Sequence, residues 1–227
     1  MTNFNITLYG HLTHDSIFDG NKTYETLGSI GNVWKALVRL SKFNINIEPT
    51  EIGEALIYVD KLRCRRASTA VLSRESRVPF IHTSDWSHIL YLNQLINLDF
   101  LSEVSKKSKF VSADICAGSS IQDVSILKHV DLLFIADDDL WLPIQQLRDL
   151  TKGDVIVHHS NGSIYYSKNG EKIETLVDKI LKDINILGAG DMFAAAVIFN
   201  YLQNKNIAKI MKASHDHTYN LILQNNE

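Results

Sequence analysis

The segment Gly188-Ala189-Gly190-Asp191 combines three small residues with an acid, directly in front of a long apolar stretch. A helix that only packs would not begin with glycines, since each is unfavourable inside a helix by up to about 1 kcal/mol against alanine. Unpaired backbone N–H groups at a helix start, together with the positive end of the helix dipole, bind anions. The pattern therefore predicts a phosphate site at the start of a helix.

Two interpretations of Asp191 remain open on these residues alone. A carboxylate repels phosphate, so it is out of place in a site that only holds an anion. It suits a base that takes a proton from a hydroxyl group attacking a phosphoryl group. Alternatively, Asp191 only stabilises the helix N-terminus, by about 0.3–1 kcal/mol, and the glycines only make a tight turn.

The strands and helices that must position this segment are expected to form an α/β layered architecture, because short β-branched or aromatic runs alternate with helical patterns. Ser29 is a plausible N-cap for the first helix. Strands are expected at 4–10, 88–93, 109–116 and 131–136, a hairpin at 154–159 and 162–167, and helices at 29–43, 189–201 and 207–223. The inner strands are apolar nearly throughout, as in parallel strands that are covered on both faces.

Residues 44–73 break the alternation, because two or three strands follow one another there without a helix between them. The simpler interpretation is an extra hairpin on the edge of the sheet. The functional interpretation is a small β flap over a ligand site. The residues themselves do not decide between these two.

Composition limits the classes of partner. The chain of 227 residues has a net charge of -3, which does not indicate nucleic acid or an anionic membrane as a main partner. Its two cysteines, Cys64 and Cys116, lie far apart, which argues against a disulfide framework or a paired metal motif. Without a basic, apolar leader or an apolar run of about 18 residues, the sequence predicts a cytoplasmic protein.

Three segments together resemble the PfkB (ribokinase-like) carbohydrate kinase family over nearly the whole chain. Residues 185–191 match the family signature Asp-Thr-x-Gly-Ala-Gly-Asp in its last four positions, and Phe193, Ala194 and Ala195 continue the pattern. The segment YGHLTHDSIFDG resembles the first strand and turn, with Asp15 at the place of the acid that binds substrate hydroxyls. The segment LGSIGNVWKALVRL resembles the opening of the first helix.

The resemblance implies a three-layer α/β/α fold with a mostly parallel central sheet, in one domain over 1–227. Residues 44–73 would be a β lid, which often joins in dimer contacts in this family, so a homodimer through the lid is one expectation. The implied activity is transfer of the γ-phosphoryl group of ATP, with Mg²⁺, to a hydroxyl of a sugar or nucleoside.

The resemblance also implies roles for individual residues. Asp191 would be the catalytic base, and the N–H groups of Gly188, Ala189 and Gly190 would form the anion hole. The hydroxylated substrate would be held by Asp15, Gly28 and Asn32, the nucleotide by Asn185 and Gly162, and the metal by Asp139.

Departures from the family pattern cluster on the nucleotide and metal side. Asn185 and Ile186 replace the Asp-Thr of the signature, residues 136–139 replace an Asn-x-x-Glu motif, and 158–160 replace a Thr-x-Gly turn. An alternative is therefore a catalytically impaired ribokinase-like protein that binds a sugar or nucleotide as a regulator or assembly subunit. A third possibility is an unrelated phosphate-binding α/β domain.

Overall fold

Ten strands and five α-helices form within the described part of the chain. The computed structural model describes residues 4–59, 68–116, 121, 123–181, 184–203 and 206–226. The strands are β1 (Asn5–Asp19), β2 (Lys22–Thr26), β3 (Asn44–Val59), β4 (Ser68–Ser76), β5 (Trp86–Ile89), β6 (Val111–Ile115), β7 (Leu132–Ala136), β8 (Asp154–His159), β9 (Gly162–Tyr166) and β10 (Lys172–Leu176). The α-helices are α1 (Gly28–Leu40), α2 (Leu101–Lys107), α3 (Ile144–Leu150), α4 (Ala189–Gln203) and α5 (Ile207–Asn226), and short 3-10 helices cover Leu92–Gln94, Val124–His129 and Asp137–Asp139.

The ten strands belong to one sheet, ordered β10-β9-β8-β7-β6-β5-β1-β3-β4, with β2 paired to β1 outside this order. The pairs from β8 across to β3 are parallel, whereas β2, β4, β9 and β10 join antiparallel. Every residue of β6 and β7 is buried, as in parallel strands that are covered on both faces. The mostly parallel sheet expected from the sequence is confirmed.

Helices cover both faces of this sheet. Since successive residues of a strand point to opposite sides, neighbouring residues of one strand contact different helices. In β7, Phe134 packs in an apolar cluster with Val33 of α1 and Val197 of α4. Its neighbour Leu133 belongs to a second cluster, which includes Leu147 of α3. The arrangement is the three-layer α/β/α fold that the resemblance implied. None of the described helices combines the length and the apolar character needed to cross a bilayer.

The C-terminal third of the described chain follows the sequence prediction closely. Strands β8 and β9 form the expected antiparallel hairpin. The two expected helices are α4 and α5, each a few residues longer than the pattern indicated. Helix α4 is buried along most of its length, which explains its nearly unbroken run of apolar and small residues.

The start of α1 differs from the prediction, because the helix begins at Gly28 and not after Ser29. Gly28 has φ +63°, a conformation that glycine adopts without steric cost, so the chain enters the helix earlier. Gly31 N–H donates to the Leu27 carbonyl at 3.2 Å. The Ser29 hydroxyl is buried and has no hydrogen-bond partner within the described ranges. The assignment of Ser29 as N-cap is therefore wrong.

Two strands also have different limits from those expected. Strand β5 covers Trp86–Ile89 and not 88–93, because Tyr91 adopts a left-handed backbone conformation that cannot continue a strand. Strand β1 does not stop at Gly10 but continues to Asp19. A register irregularity follows Gly10 in its pairing with β3, so the strand bends there.

Beyond this irregularity β1 has lost its partner β5, which pairs only with Ile6–Tyr9. The second half of β1 pairs with β2 on one side and with β3 on the other, and β4 pairs with β3. We call this part, residues 11–19, 22–26, 50–59 and 68–76, the β extension. The expected lid, 44–73, covers only part of it, and residues 60–67 lie outside the described chain.

The first half of β3 pairs with the start of β1, within the central sheet. The expected limits of the lid therefore cut through a continuous strand, because nothing in the sequence marks the residue at which β3 leaves the central sheet. The role of the β extension as a lid stays a prediction.

Candidate active site

Asp191 is the third residue of α4 and is only 3% exposed. Its Oδ2 atom accepts a hydrogen bond from Asn32 Nδ2 at 2.8 Å, which joins the start of α4 to α1. Burial raises the pKa of the Asp191 carboxyl to about 7, the Asn32 hydrogen bond opposes this shift, and the negative charge of nearby Asp15 adds to it. A carboxyl that titrates near neutral pH is suited to accept and return a proton.

The turn before α4 requires glycine at position 188 for two reasons. Gly188 has φ +77°, and a Cβ atom there would lie 2.8 Å from Asn32 Nδ2 and 3.1 Å from Asn32 Cγ. A side chain would therefore strain the backbone and push Asn32 away from Asp191. The Gly188 carbonyl accepts the Met192 N–H at 2.9 Å. This hydrogen bond closes the first turn of helix α4.

The N–H groups at this helix start are not equivalent. The Ala189 N–H donates to the Ile186 carbonyl at 2.9 Å, whereas Gly188, Gly190 and Asp191 have no acceptor for their backbone N–H among the described residues. Free N–H groups in the first turn of a helix attract an anion. The turn thus leaves Gly188 and Gly190 free for the role expected of them, and it uses the N–H of Ala189 internally.

Asp15 lies on β1 within the β extension and is 6% exposed. Its Oδ1 atom has no hydrogen-bond partner within the described ranges, and burial raises its pKa while a hydrogen bond with Thr13 lowers it. Gly28 belongs to the same corner, because a Cβ atom there would lie 2.2 Å from Thr13 Oγ1. Of the expected substrate residues, Asn32 contacts Asp191 directly. Asp15 is near enough for its charge to raise the pKa of Asp191, and Gly28 packs against Thr13.

His158 lies beside the helix start, next to Gly190. A Cβ atom on Gly190 would lie 3.5 Å from His158 Cε1, and the two rings of His158 and Phe193 have centroids 5.9 Å apart. The sequence analysis placed this histidine only in the segment 158–160 that replaces the Thr-x-Gly turn, without a role of its own. Its position at the carboxyl end of a buried parallel strand is the signal that could have identified it, since ligands bind at that edge of open α/β sheets.

Asp139 follows β7 in the 3-10 helix Asp137–Asp139. The last residue of β7, Ala136, pairs with His158. Asp139 follows Ala136 by three positions, so it comes shortly after the strand residue that pairs with His158. The structure shows no group of three or more potential ligands for a metal in the part of the chain it describes. Magnesium is commonly held by one or two carboxylates plus phosphate oxygens and water, and one Asp139 carboxylate fits that donor set.

The two residues expected at the nucleotide make other contacts. Asn185 Nδ2 donates to Tyr24 Oη at 2.7 Å and to Asp19 Oδ2 at 3.3 Å, both in the β extension. Gly162 has φ +151°, and a Cβ atom there would lie 2.1 Å from the Thr175 carbonyl oxygen. These contacts give both residues a structural function, and their contact with a nucleotide stays a prediction.

The Asn185 side chain also shapes the turn, because its Oδ1 atom accepts the Leu187 N–H at 2.9 Å. Its backbone is held by Asn226 at the end of α5, through hydrogen bonds of 3.2 Å to the Asn185 N–H and 2.9 Å to its carbonyl. One residue therefore ties the helix start to the β extension and to α5. These contacts could not be predicted from the sequence, since Tyr24 lies 161 positions earlier and Asn226 lies 41 positions later.

Fold and site together define an α/β/α protein with a buried acid at a glycine-rich helix start. Comparison with known proteins finds no matching family model and no matching curated protein. Among solved structures, a pyrophosphate-dependent kinase in the ribokinase family is similar, with a TM-score of 0.70, 15% identity and coverage of 96% of this chain and 95% of that one.

Two further kinases are similar at the same level. The Burkholderia thailandensis nucleoside kinase, solved with ADP-inosine, has a TM-score of 0.69 and 12% identity, and covers 94% of this chain and 87% of its own. The adenosine kinase from Sinorhizobium meliloti has a TM-score of 0.68 and 12% identity, with coverage of 98% and 94%. The protein therefore has the ribokinase-like fold, and the resemblance stated from its sequence is confirmed at the level of the fold.

Proposed function

We propose that this protein is a kinase that transfers a phosphoryl group to a hydroxyl of a small sugar-like or nucleoside acceptor. The observation that carries the proposal is the buried carboxyl of Asp191, with a pKa of about 7, next to the free N–H groups of Gly188 and Gly190. The ribokinase-like fold and the kinases that share it support this reading.

In the proposed reaction Asp191 takes the proton of the acceptor hydroxyl as its oxygen forms a bond to phosphorus. The bond between phosphorus and the bridging oxygen of the donor breaks, and the remaining phosphate leaves with that electron pair. The N–H groups of Gly188 and Gly190, at the positive end of the α4 dipole, stabilise the negative charge on the transferred group. Asn32 holds the Asp191 carboxyl in position throughout.

Asp15 is proposed to bind a second hydroxyl of the acceptor. Its Oδ1 atom is buried and lacks a protein partner in the described chain, and such an atom costs free energy unless a ligand or water satisfies it. Gly28 leaves no room for a side chain beside Thr13, because a Cβ atom at this position would lie 2.2 Å from Thr13 Oγ1. This supports an acceptor with at least two hydroxyl groups.

On the donor side we propose ATP with Mg²⁺, as the resemblance implies, with Asp139 as the residue that would hold the metal. Magnesium supplies neutralisation of phosphate charge when it is bound. From Gly190 a line of rings runs through His158 and Phe193 to His215, which stacks on Phe193 at 4.7 Å. His215 lines a cavity of about 340 Å³ together with two lysines and two aspartates, Lys179, Lys212, Asp178 and Asp216.

Inorganic pyrophosphate is a second candidate donor. Three similar solved structures are pyrophosphate-dependent kinases, which supports this alternative. We therefore propose pyrophosphate as the alternative donor to ATP at the same site.

A homodimer through the β extension is proposed as the oligomeric state. Tyr58, Val71 and Leu72 are half or more exposed on strands β3 and β4, and clustered exposed apolar residues mark interaction surfaces. Light scattering behind size exclusion gives the mass directly, and a monomer at micromolar concentration would contradict this.

The test is phosphoryl transfer by the purified protein to a panel of sugars, inositols and nucleosides, with ATP or pyrophosphate and Mg²⁺, followed by ³¹P NMR. Asp191→Asn should lower turnover by at least about 10²-fold, within the usual range for acid–base groups. Asp149→Asn, on the exposed face of α3, is the matched control and should retain full activity.

A wild-type protein that binds an acceptor but transfers phosphate from neither donor would favour the alternative, a regulator or assembly subunit without catalysis. Equal activity in wild type and Asp191→Asn would contradict the assignment of the base and leave the kinase function standing.

A further inference from the structure

The hairpin of β1 and β2 carries Tyr24 on the same face as Asp15. Its register places Tyr24 opposite Ile17 and Lys22 opposite Asp19. Asp15, Ile17 and Asp19 alternate along β1, so their side chains point to one side of the hairpin. Tyr24, as the direct partner of Ile17, points to that side too. The face that holds the proposed acceptor residue therefore also presents the Tyr24 hydroxyl.

The Tyr24 hydroxyl contacts the turn before α4. Asn185 Nδ2 donates to Tyr24 Oη at 2.7 Å and to Asp19 Oδ2 at 3.3 Å. A side-chain amide has two N–H donors and one carbonyl acceptor, so the two acceptors on the hairpin use both donors of Asn185. Their positions fix the direction in which the amide carbonyl points.

The carbonyl end of the same amide holds the turn. Asn185 Oδ1 accepts the Leu187 N–H at 2.9 Å, and the Ala189 N–H donates to the Ile186 carbonyl at 2.9 Å. These two hydrogen bonds flank Gly188, whose backbone N–H is proposed to bind the transferred phosphoryl group. A rotation of the Asn185 amide would release the Leu187 N–H and displace the peptide group that carries the Gly188 N–H.

The Tyr24 contact lies at the edge of the fold, where its loss is tolerated. Strand β2 pairs with β1 alone among the described strands, and each of its residues is at least partly exposed. Tyr24 itself is 38% exposed. The Asn185 backbone has separate support from Asn226, through hydrogen bonds of 3.2 and 2.9 Å. Loss of the Tyr24 hydroxyl should therefore leave the fold intact and change the orientation of one amide.

We propose that Tyr24 is a positioning residue for phosphoryl transfer, whose hydroxyl orients the Asn185 amide and thereby fixes the Gly188 N–H relative to the acceptor-binding face of the hairpin. The inference rests on the proposed function, because it connects the acceptor and anion sites of that function. Phosphoryl transfer depends on the placement of the reacting oxygen and of the groups that stabilise the transferred charge. A small displacement of either therefore lowers the rate more than it weakens binding.

The first test compares wild type with Tyr24→Phe, which keeps the ring and removes only the hydroxyl. In a panel that contains myo-inositol, ribose and inosine, kcat for the acceptor that wild type phosphorylates should fall about 10-fold. The dissociation constant of that acceptor, measured by calorimetry without a phosphoryl donor, should change by less than about 3-fold. The melting temperature should fall by no more than about 4 °C. A residue with only a structural role would lower stability without this split between kcat and binding.

A second variant tests whether Tyr24 acts through Asn185. Asn185→Ala removes the whole amide and should lower kcat at least as much as Tyr24→Phe does. Adding Tyr24→Phe to Asn185→Ala should then change kcat by less than about 2-fold, because the contact that it removes is already gone. Two effects that multiply would show that the phenol acts by another route, and they would overturn the assignment.

Tyr166→Phe is the matched control, because it also removes only a phenolic hydroxyl. Tyr166 lies on β9, where it pairs with Val155 and Lys172. Its ring contact with Lys172, whose Nζ atom lies 5.9 Å from the ring centroid, survives the change. The kcat of this variant should equal that of wild type.

Hydrogen exchange tests the contact itself without any substrate. The exchange rate of the Leu187 amide, followed by NMR, measures how often its hydrogen bond to Asn185 Oδ1 opens. This exchange should be about 10-fold faster in Tyr24→Phe than in wild type. The amide of Ile156, in the buried middle of β8, should exchange at the same rate in both proteins.

Equal kcat in wild type and Tyr24→Phe, or equal exchange of the Leu187 amide, overturns the role of Tyr24 and leaves the kinase proposal intact. A wild-type protein that transfers phosphate to none of the sugars, inositols and nucleosides overturns the proposed function, and the positioning role with it. Faster exchange of the Leu187 amide in Tyr24→Phe would in that case still show that the hydroxyl holds the turn, so the two failures are distinguishable.

Discussion

Replacing Asp191 with asparagine should stabilise this protein at pH 8 and do so far less at pH 5. The carboxyl is 3% exposed, and burial raises its pKa to about 7, against about 3.9 in an unfolded chain. The folded state thus binds this proton more tightly than the unfolded state. Stability from this group is complete below about pH 4 and is lost as the pH rises to about 7.

The size of the effect follows from the shift. About three pKa units at about 1.4 kcal/mol each give a loss of up to about 4 kcal/mol above pH 7. About 1.5 kcal/mol of this has already been lost at pH 5, so about 2.5 kcal/mol separates pH 5 from pH 8. Asparagine does not titrate, and its side-chain oxygen can still accept the hydrogen bond from Asn32. The variant therefore lacks this pH dependence.

Urea unfolding followed by the fluorescence of buried Trp86, which is 1% exposed, measures the free energy of unfolding of both proteins at the two pH values. The difference between wild type and Asp191→Asn cancels the titrating groups that do not interact with Asp191. Asp149→Asn, an exposed control, should show no such difference. If the gap between wild type and Asp191→Asn is the same at pH 5 and pH 8, the pKa of Asp191 is not raised and the reasoning is wrong.

Three other predictions follow from the same contacts. If Asp191 is the base, kcat/KM should rise up to about pH 7 and then level off, since the ionised form accepts the proton; a flat profile from pH 5 to 8 would contradict this. Gly28→Ala should lower the free energy of unfolding by more than about 2 kcal/mol and weaken acceptor binding, because its φ is +63° and a Cβ has no room. Gly20→Ala, with φ +60° and nothing within 4 Å, should cost only about 1 kcal/mol, so equal losses in thermal melts would refute the steric argument. Asn185→Asp should destabilise the protein by about 1–3 kcal/mol, because it places a second carboxyl at the 3.3 Å contact with Asp19. Adding Asp19→Asn should restore most of this loss. A double variant no more stable than Asn185→Asp alone would show that the two side chains are not coupled.

Much of the fold could be predicted because local signals agreed with the global arrangement. Strands β6 and β7 are apolar throughout, and the structure buries every residue of both. The segment before Asp191 needs glycine at position 188 for both conformation and space, so its composition alone pointed to a special turn. Signals of this kind arise within a few residues, where propensity and sterics act directly.

The features that could not be predicted depend on partners far away in the sequence. Strand β1 passes Gly10 only because β3, about 40 positions later, pairs with its full length. Tyr91 adopts a left-handed conformation against its own preference, and the loop after it is held by Arg74 of β4, Glu51 of β3 and Cys116 just after β6. The contacts of Asn185 likewise join the ends of the chain.

The free energy stored at Asp191 bears on whether this site is catalytic. A site that only binds a ligand gains nothing from a buried carboxyl whose ionisation costs up to about 4 kcal/mol near neutral pH, since an asparagine would accept the same hydrogen bond from Asn32. The destabilising choice makes sense where a proton must be taken up and returned at neutral pH, because that requires a pKa close to 7. Asn185 does not weaken this argument, because its departure from the family pattern is matched by Tyr24 and Asp19, which hold the same turn. The changed residue is therefore a different way of fixing the helix start, and the buried carboxyl of Asp191 beside it supports the proposed kinase over a binding protein.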